Sequence, residues 1–213
     1  MKRLFILCCF TCVFSTLGHA QTKLGLKFSP LFSFNHQMEL TSDSLDAEND
    51  GANLKFGLGL VVDQQLTDTY FFSTGLFIVP KKIGINIQEE GGTFPNTLEE
   101  YNVQYLQLPV TLKLMTNELS PDFGIFFQVG GGFEIKLGDE ALEEEYVLVE
   151  SFKPFDVMVM IGGGIEYRVG VNTALFGGLS YQRGVINVID ETLSNIDLSV
   201  RNSVLSIDFG IKF

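Results

Sequence analysis

The chain has 213 residues, 46 % of them hydrophobic, with 14 basic and 26 acidic residues and a formal charge of −12. That acidic excess repels phosphate backbones and argues against nucleic-acid binding. The apolar fraction is too high for an acidic disordered chain, and the length suits one domain.

Lys2 and Arg3 open the chain, residues 4–17 form an uncharged apolar stretch, and Gly18-His19-Ala20 follows with small residues flanking one position. This is the layout of a signal peptide cleaved after Ala20, and the apolar stretch is too short for a spanning helix. The expected organisation is therefore a signal peptide over 1–20 and one domain over 21–213. Cys8, Cys9 and Cys12 all lie in the leader, and Cys12 sits in a poor lipobox. Without the leader the chain has no cysteine, which excludes disulfides, thiolate catalysis and Cys-based metal sites. It also retains 12 basic and 26 acidic residues, a charge of −14.

From residue 23 onward the dominant signal is period-2 alternation, which predicts strands. Residues 23–35 place Leu24, Leu26, Phe28, Phe32 and Phe34 opposite Lys23, Gly25, Lys27, Ser29 and Ser33. Residues 53–66 set Leu54, Phe56, Leu58, Leu60 and Val62 against Lys55, Gly57, Gly59 and Asp63. Residues 70–88 are less regular, and their pattern shifts at Pro80-Lys81-Lys82, which predicts a β-bulge or bend. Residues 99–116 carry Leu106, Leu108, Val110, Leu112 and Leu114 on one face. Residues 123–137 carry Phe123, Ile125, Phe127, Val129, Phe133 and Ile135. Residues 151–169 carry Phe155, Val157, Val159, Ile161, Ile165 and Tyr167, and residues 173–182 carry Leu175, Leu179 and Tyr181. Residues 201–213 close the series with Leu205, Ile207, Phe209, Ile211 and Phe213 opposite Asn202, Ser206, Asp208, Gly210 and Lys212.

The connectors alternate in length. Residues 67–69, 117–122 and 170–172 are short; residues 36–52, 89–98, 138–150 and 183–200 are long and, apart from Arg183, carry charge only as carboxylates. Residues 140–145 have some helical character within a loop excursion. Short turns at one end and long loops at the other are the layout of an up-and-down outer-membrane barrel, with the short turns in the periplasm.

Alternation alone does not say which face is inside. Three features place the apolar face in lipid. It is nearly free of charge in mid-strand, as lipid contact requires. The opposite face is rich in glycine (Gly57, Gly59, Gly124, Gly130, Gly132, Gly162, Gly164, Gly178, Gly210), which relieves crowding in a narrow lumen. That same face carries both signs of charge, so Lys27, Lys55, Lys113, Lys136 and Arg168 are expected to pair there with Asp63, Glu134, Asp156, Glu166 and Asp208. Phe72, Phe123, Tyr167, Tyr181 and Phe213 stand on the apolar face near strand ends, where interfacial girdles form. The fold class expected is all-β: a transmembrane up-and-down antiparallel β-barrel of about eight strands. The inverted alternative is a secreted soluble lipocalin-like barrel binding a lipophilic ligand.

Tyr105-Leu106-Gln107-Leu108-Pro109-Val110-Thr111-Leu112-Lys113 resembles the Tyr-Leu-x-x-Pro-x-x-x-Lys strand of the PorT-like outer-membrane β-barrel proteins of Bacteroidota. Leu24-Gly25-Leu26-Lys27 and Phe209-Gly210-Ile211-Lys212-Phe213 are similar to that family as well. The resemblance implies an outer-membrane location and about eight strands, and it supplies no catalytic residues. The terminal Phe213 resembles the signal read by the barrel-insertion machinery.

Other motifs have bland readings. Gly130-Gly131-Gly132 and Gly162-Gly163-Gly164 open no helix and match no phosphate-binding pattern. Asp46-Ala47-Glu48-Asn49-Asp50-Gly51 starts like a calcium loop, but its twelfth position is Gly57, where a bidentate Glu is required; weak divalent binding by the acidic loops together stays open. His36, the only histidine outside the leader, has no nucleophile signature beside it for a lipid hydrolase. The expectation is thus a non-enzymatic barrel with a filled lumen, acting as a membrane anchor or a binding or assembly component. Its partners would be outer-membrane lipid, the insertion machinery and a protein meeting the loops. No cofactor, metal or catalytic residue is assigned; an accessory role in a secretion or uptake complex is the alternative.

Overall fold

The computed structural model describes residues 21–40, 45–49, 51–89, 97–116, 122–142, 149–192 and 198–213. The elements in these residues are all strands: β1 (Thr22–Leu40), β2 (Leu45–Asn49), β3 (Asn53–Gln65), β4 (Tyr70–Glu89), β5 (Thr97–Met115), β6 (Phe123–Ala141), β7 (Val149–Phe152), β8 (Phe155–Arg168), β9 (Ala174–Gly184), β10 (Ile189–Thr192) and β11 (Leu198–Lys212). Eight of them form a closed ring in the order β1, β3, β4, β5, β6, β8, β9, β11, with every neighbour antiparallel. The β1–β11 pair, in which Phe28 faces Phe209, joins the two ends of the series. Closure gives the backbone groups of each barrel strand a neighbour on either side, the condition for crossing hydrocarbon.

Alternation sets which side chains face out. Leu24, Leu26 and Phe28 on β1, Leu54 to Leu60 at even positions on β3, Val129 and Phe133 on β6, and Ile161 and Ile165 on β8 are all exposed. Leu58 at 59 % and Val129 at 60 % have no partner surface to bury against in a soluble chain. The inverted, soluble arrangement is therefore overturned. Outward apolar residues run from Tyr70 to Ile78 on β4 and from Leu106 to Leu114 on β5, a length that matches the roughly 9–11 residues a tilted strand needs.

Beyond that band the same strands continue, and their polarity inverts. Lys81, Ile83, Ile85, Tyr101 and Val103 point inward and are buried, while Lys82, Glu100, Asn102 and Gln104 occupy the other face. Lys82 and Glu100 form an ion pair there. The alternation keeps its phase, but the medium outside has changed from lipid to water. This is the physical source of the pattern shift at Pro80. The expected bulge or bend at Pro80 is not found: β4 pairs with β5 in unbroken register from Tyr70 to Ile87. What changes instead is the other neighbour. β3 pairs with β4 only as far as Ile78, and β2 takes over from Ile85, so the missing Pro80 N–H falls in the gap between two partners. Register shifts occur elsewhere at this level, between Asn35 and Gln37 on β1 and between Gln104 and Tyr105 on β5.

The long connectors are partly strand. Residues 138–141 continue β6, and of the helical character expected over 140–145, residues 143–145 lie outside the described residues. Residues 46–49 are strand β2, in register with Asn86 and its neighbours, which is not a calcium-loop backbone; Asp50 lies outside the described residues. His36 is on β1, but its side chain lies outside the described residues.

Candidate functional site: a filled lumen

The inward faces of the eight strands stack into layers. At the short-turn end, Lys113 of β5 and Lys212 of β11 stand between Asp63 of β3 and Glu166 of β8. Lys113 Nζ lies 3.0 Å from Asp63 Oδ2 and 3.1 Å from Glu166 Oε2, and Lys212 Nζ lies 2.7 and 2.8 Å from the same two oxygens. Each carboxylate oxygen thus serves two ammonium groups, and four strands are tied across the lumen. Ser73 donates to Asp63 Oδ1 at 2.5 Å, and Lys23 reaches Glu166 Oε1 at 3.1 Å from the mouth side. Desolvating these charges is expensive, and only such complete pairing offsets it. A cavity of about 250 Å³, lined by residues including Lys23, Phe71, Glu166 and Arg168, opens below this cluster.

The next layer is aromatic. Phe77, Phe126 and Phe176 point inward with Leu31, Val61, Val79 and Val204. Glycines seat the rings. A Cβ on Gly164 would lie 2.8 Å from Phe126 Cζ, and one on Gly178, its cross-strand partner, would lie 3.2 Å from the same atom. The lysines cap the ring faces: Lys27 Nζ stands 4.2 Å from the Phe77 centroid, Lys113 4.3 Å from Phe126, and Lys212 4.6 Å from Phe176. Lys27 also pairs with Asp208 at 3.5 Å. Asp208 accepts from Ser29 at 2.6 Å, Ser180 at 2.9 Å and Ser206 at 3.1 Å. The free volume in this part of the lumen is about 40 Å³ beside Phe126 and Phe176 and about 10 Å³ beside Gln107 and Gln182. A gap of about 10–15 Å³ on this measure holds one water, so these spaces take a few waters at most.

Above it, Lys81 pairs with Glu134, and Gln107 Nε2 donates to Glu134 Oε1 and to Gln182 Oε1, both at 2.7 Å. The long-loop end is then sealed by apolar packing. β7 and β10 form a two-stranded sheet of their own. Val149, Phe152, Val188 and Ile189 pack on Ile83, Ile85, Tyr101, Val103, Tyr105, Leu198 and Val200. Phe152 meets Tyr101 edge to face at 5.3 Å. Asn187 pins the segment to β11, its Oδ1 accepting from Val200 N–H at 2.9 Å.

Of the charges expected to pair in the lumen, Lys27, Lys113, Asp63, Glu134, Glu166 and Asp208 do so. Lys55 instead donates to Asn102 at 2.8 Å. Lys136 bonds Asp139 and the Phe152 carbonyl. Arg168, at the end of β8, lies 3.7 Å from Asp122 on the exposed short-turn rim. Their strand positions lie at or near the ends of the lumen, where water or the plug is the nearer partner. Lys81 and Lys212 take their places. Both carry the inward phase; alternation signalled it for Lys212, which shares a face with Asp208, and not for Lys81, which follows the apolar Phe77 and Val79 where the pattern shifts. Asp156 is inside but has no cation within ion-pair distance among the described residues. The lumenal Phe77, Phe126 and Phe176 complete the account of the glycine-rich face, whose crowding the sequence signalled without naming the rings. In the expected girdle, Phe72, Tyr167 and Phe213 are exposed; Tyr181 is half-buried, its hydroxyl 3.2 Å from Ser203 Oγ.

No curated protein matches the chain. Among solved structures, it is similar to the outer membrane protein OprG from Pseudomonas aeruginosa, with a TM-score of 0.55 and 14 % identity, over 92 % of this chain and 98 % of that one. It is also similar to Neisserial surface protein A, NspA, with a TM-score of 0.51 and 11 % identity, over 91 % of this chain and 99 % of that one. At such identities the likeness establishes the fold alone. A family model described as outer membrane protein beta-barrel domain matches residues 19–190. With lipid-facing apolar walls, a closed antiparallel ring and that match, the chain belongs to the outer membrane protein beta-barrel domain family.

Proposed function

We propose that this is a plugged, non-enzymatic outer-membrane barrel that works through its exterior surface, as a membrane anchor or a binding or assembly component. The observation that carries this reading is the filled lumen: paired charges across the short-turn end, three phenylalanines in mid-barrel, and the β7–β10 sheet packed into the long-loop end. A side-chain-filled interior is what an eight-stranded barrel favours. Under this reading residues 1–20 direct export and are removed, and the PorT-like resemblance supports a kinship with barrels of Bacteroidota. The test is a liposome-swelling assay with small sugars on the refolded barrel. Swelling no faster than protein-free liposomes is expected; rapid sugar flux through the monomer overturns the reading.

An accessory role in a secretion or uptake complex is favoured by one feature. β4, β5 and β6 run on past the lipid band as a wall whose outer face carries Lys82, Glu100, Asn102 and Gln104. Such a wall offers a partner a polar, strand-rigid surface. In-membrane crosslinking from cysteines introduced at Asn102 and Gln104 is expected to yield a defined heteromeric product; recovery of monomer alone counts against a partner on this wall.

A further inference from the structure

One level of the lumen holds polar groups that no described residue satisfies. Asn35 of β1 and Asn202 of β11 are direct cross-strand partners, and both are buried. Asn35 Nδ2 donates to the Gly84 carbonyl at 2.9 Å. Its Oδ1, and both Oδ1 and Nδ2 of Asn202, have no hydrogen-bond partner among the described residues. Asp156 of β8 is 1 % exposed. Its carboxylate takes backbone hydrogen bonds from Val157 and Ile186, the former to Oδ1 at 2.7 Å, and its Oδ2 has no side-chain partner among the described residues. The hydroxyl of Tyr105, a fully buried side chain, likewise has no hydrogen-bond partner among the described residues.

These groups lie on one belt around the barrel. Gly184 shows how closely: a Cβ there would lie 3.1 Å from Asp156 Oδ2 and 3.1 Å from the Asn202 carbonyl oxygen. The carboxylate therefore occupies the space a side chain at 184 would fill, against Asn202. Asp156 is the cross-strand partner of Glu134, Glu134 pairs with Lys81, and Lys81 Nζ stands 4.9 Å from the Tyr105 ring centroid. The belt is closed toward the long loops by the β7–β10 packing and toward the short turns by the Phe77, Phe126 and Phe176 layer.

Charge says what fits. Two carboxylates, Glu134 and Asp156, face one ammonium, Lys81, and that ammonium is committed to Glu134. A buried carboxylate is retained when it is paired or coordinated. We propose that this belt binds one small monovalent cation of sodium or potassium type, through Asp156 Oδ2, Asn35 Oδ1, Asn202 Oδ1 and the Tyr105 hydroxyl oxygen. All four are hard oxygen donors, the class such ions take. A water in the ion's shell accepts from Asn202 Nδ2. Asp156, with no ion-pair partner among the described residues, matches one positive charge, whereas a divalent ion would leave an excess positive charge between apolar layers.

The test uses the full barrel refolded separately in sodium, potassium and choline chloride at equal ionic strength, with unfolding followed by the shift of the heat-modifiable band. Tm is expected to be about 3–6 °C higher in sodium or potassium than in choline, the rise for a cation at about tenfold over its Kd. Asp156→Asn should abolish that difference, and Asp139→Asn, outside the belt, should retain it. Equal Tm in all three salts, or a difference that survives Asp156→Asn, overturns the proposal. Crystals of the wild-type barrel soaked in thallium give a readout that needs no variant to fold. An anomalous peak within the belt supports the site; water there without anomalous signal overturns it.

Discussion

Lys212 is tied to two buried carboxylates at once, and this sharing makes it hard to replace. Lys212→Met would leave Asp63 and Glu166 dependent on Lys113 and the half-exposed Lys23. Breaking a buried charge network by removing one partner typically costs about 3–5 kcal/mol. Urea unfolding in detergent should show that loss for Lys212→Met. The double variant Lys212→Met with Asp63→Asn should lose less than the two single variants summed, because the orphaned charge is gone. Glycine at 164 is equally constrained, for steric reasons. A Cβ there would meet Gly178 Cα at 2.6 Å and the Phe126 ring at 2.8 Å. Gly164→Val should therefore destabilise the barrel by about 1–3 kcal/mol or more, as overpacking does. Gly138→Val, where an added Cβ meets open space, should change little in the same assay.

Single strands here pass through two solvents. In the lipid band β4 and β5 turn apolar residues out; above it they turn them in, toward the plug. The cost of a charge on the outer face should therefore depend on depth. Val129→Lys, at mid-band on β6, is expected to cost about 2–4 kcal/mol, and Gln104→Lys, above the band on β5, close to nothing. Folding yield in vesicles and urea midpoints compare the two. The plug is a separate element from the barrel wall. Phe152 packs on Tyr101, Ile83 and Val200 and takes no part in the eight-strand ladder. Phe152→Asp should speed hydrogen exchange at the Val149 and Ile189 amides while the β1–β11 ladder keeps its protection. Equal loosening of both would show that plug and wall unfold as one unit.

For the whole molecule, the consequence of ring closure is that every barrel strand is held on two sides. Cooperative, heat-modifiable unfolding follows from that arrangement, and a filled lumen adds ties across the ring as well as around it. The Asp63, Glu166, Lys113 and Lys212 cluster joins β3, β5, β8 and β11, which are not ring neighbours of one another except through intervening strands. Much of this architecture was legible in the alternation of residues 53–66 and 201–213. There the lipid-facing set is uninterrupted, and a one-residue slip would turn every apolar side chain inward. Residues 70–88 were harder to read, because the environment outside the strand changes partway along it while the backbone does not. The lumenal pairing was legible as a face and not as a list of partners: Lys55, Lys136 and Arg168 carry the same phase as Lys113, yet their depth hands them to other neighbours.

The sequence by itself determined the strand class, the outward direction of the apolar face and the presence of both charge signs and glycine within the lumen. The strand class follows from period-2 geometry, which is local; the direction follows from which residue types share each face, an uncharged apolar set against one of glycine and both charge signs. Only the tertiary structure decided which lysine meets which carboxylate, that glycine pairs seat inward phenylalanines, and that β7 and β10 fold into the mouth. These depend on strand register, tilt and depth around a closed ring, quantities fixed by contacts between residues as far apart in the chain as Asp63 and Lys212.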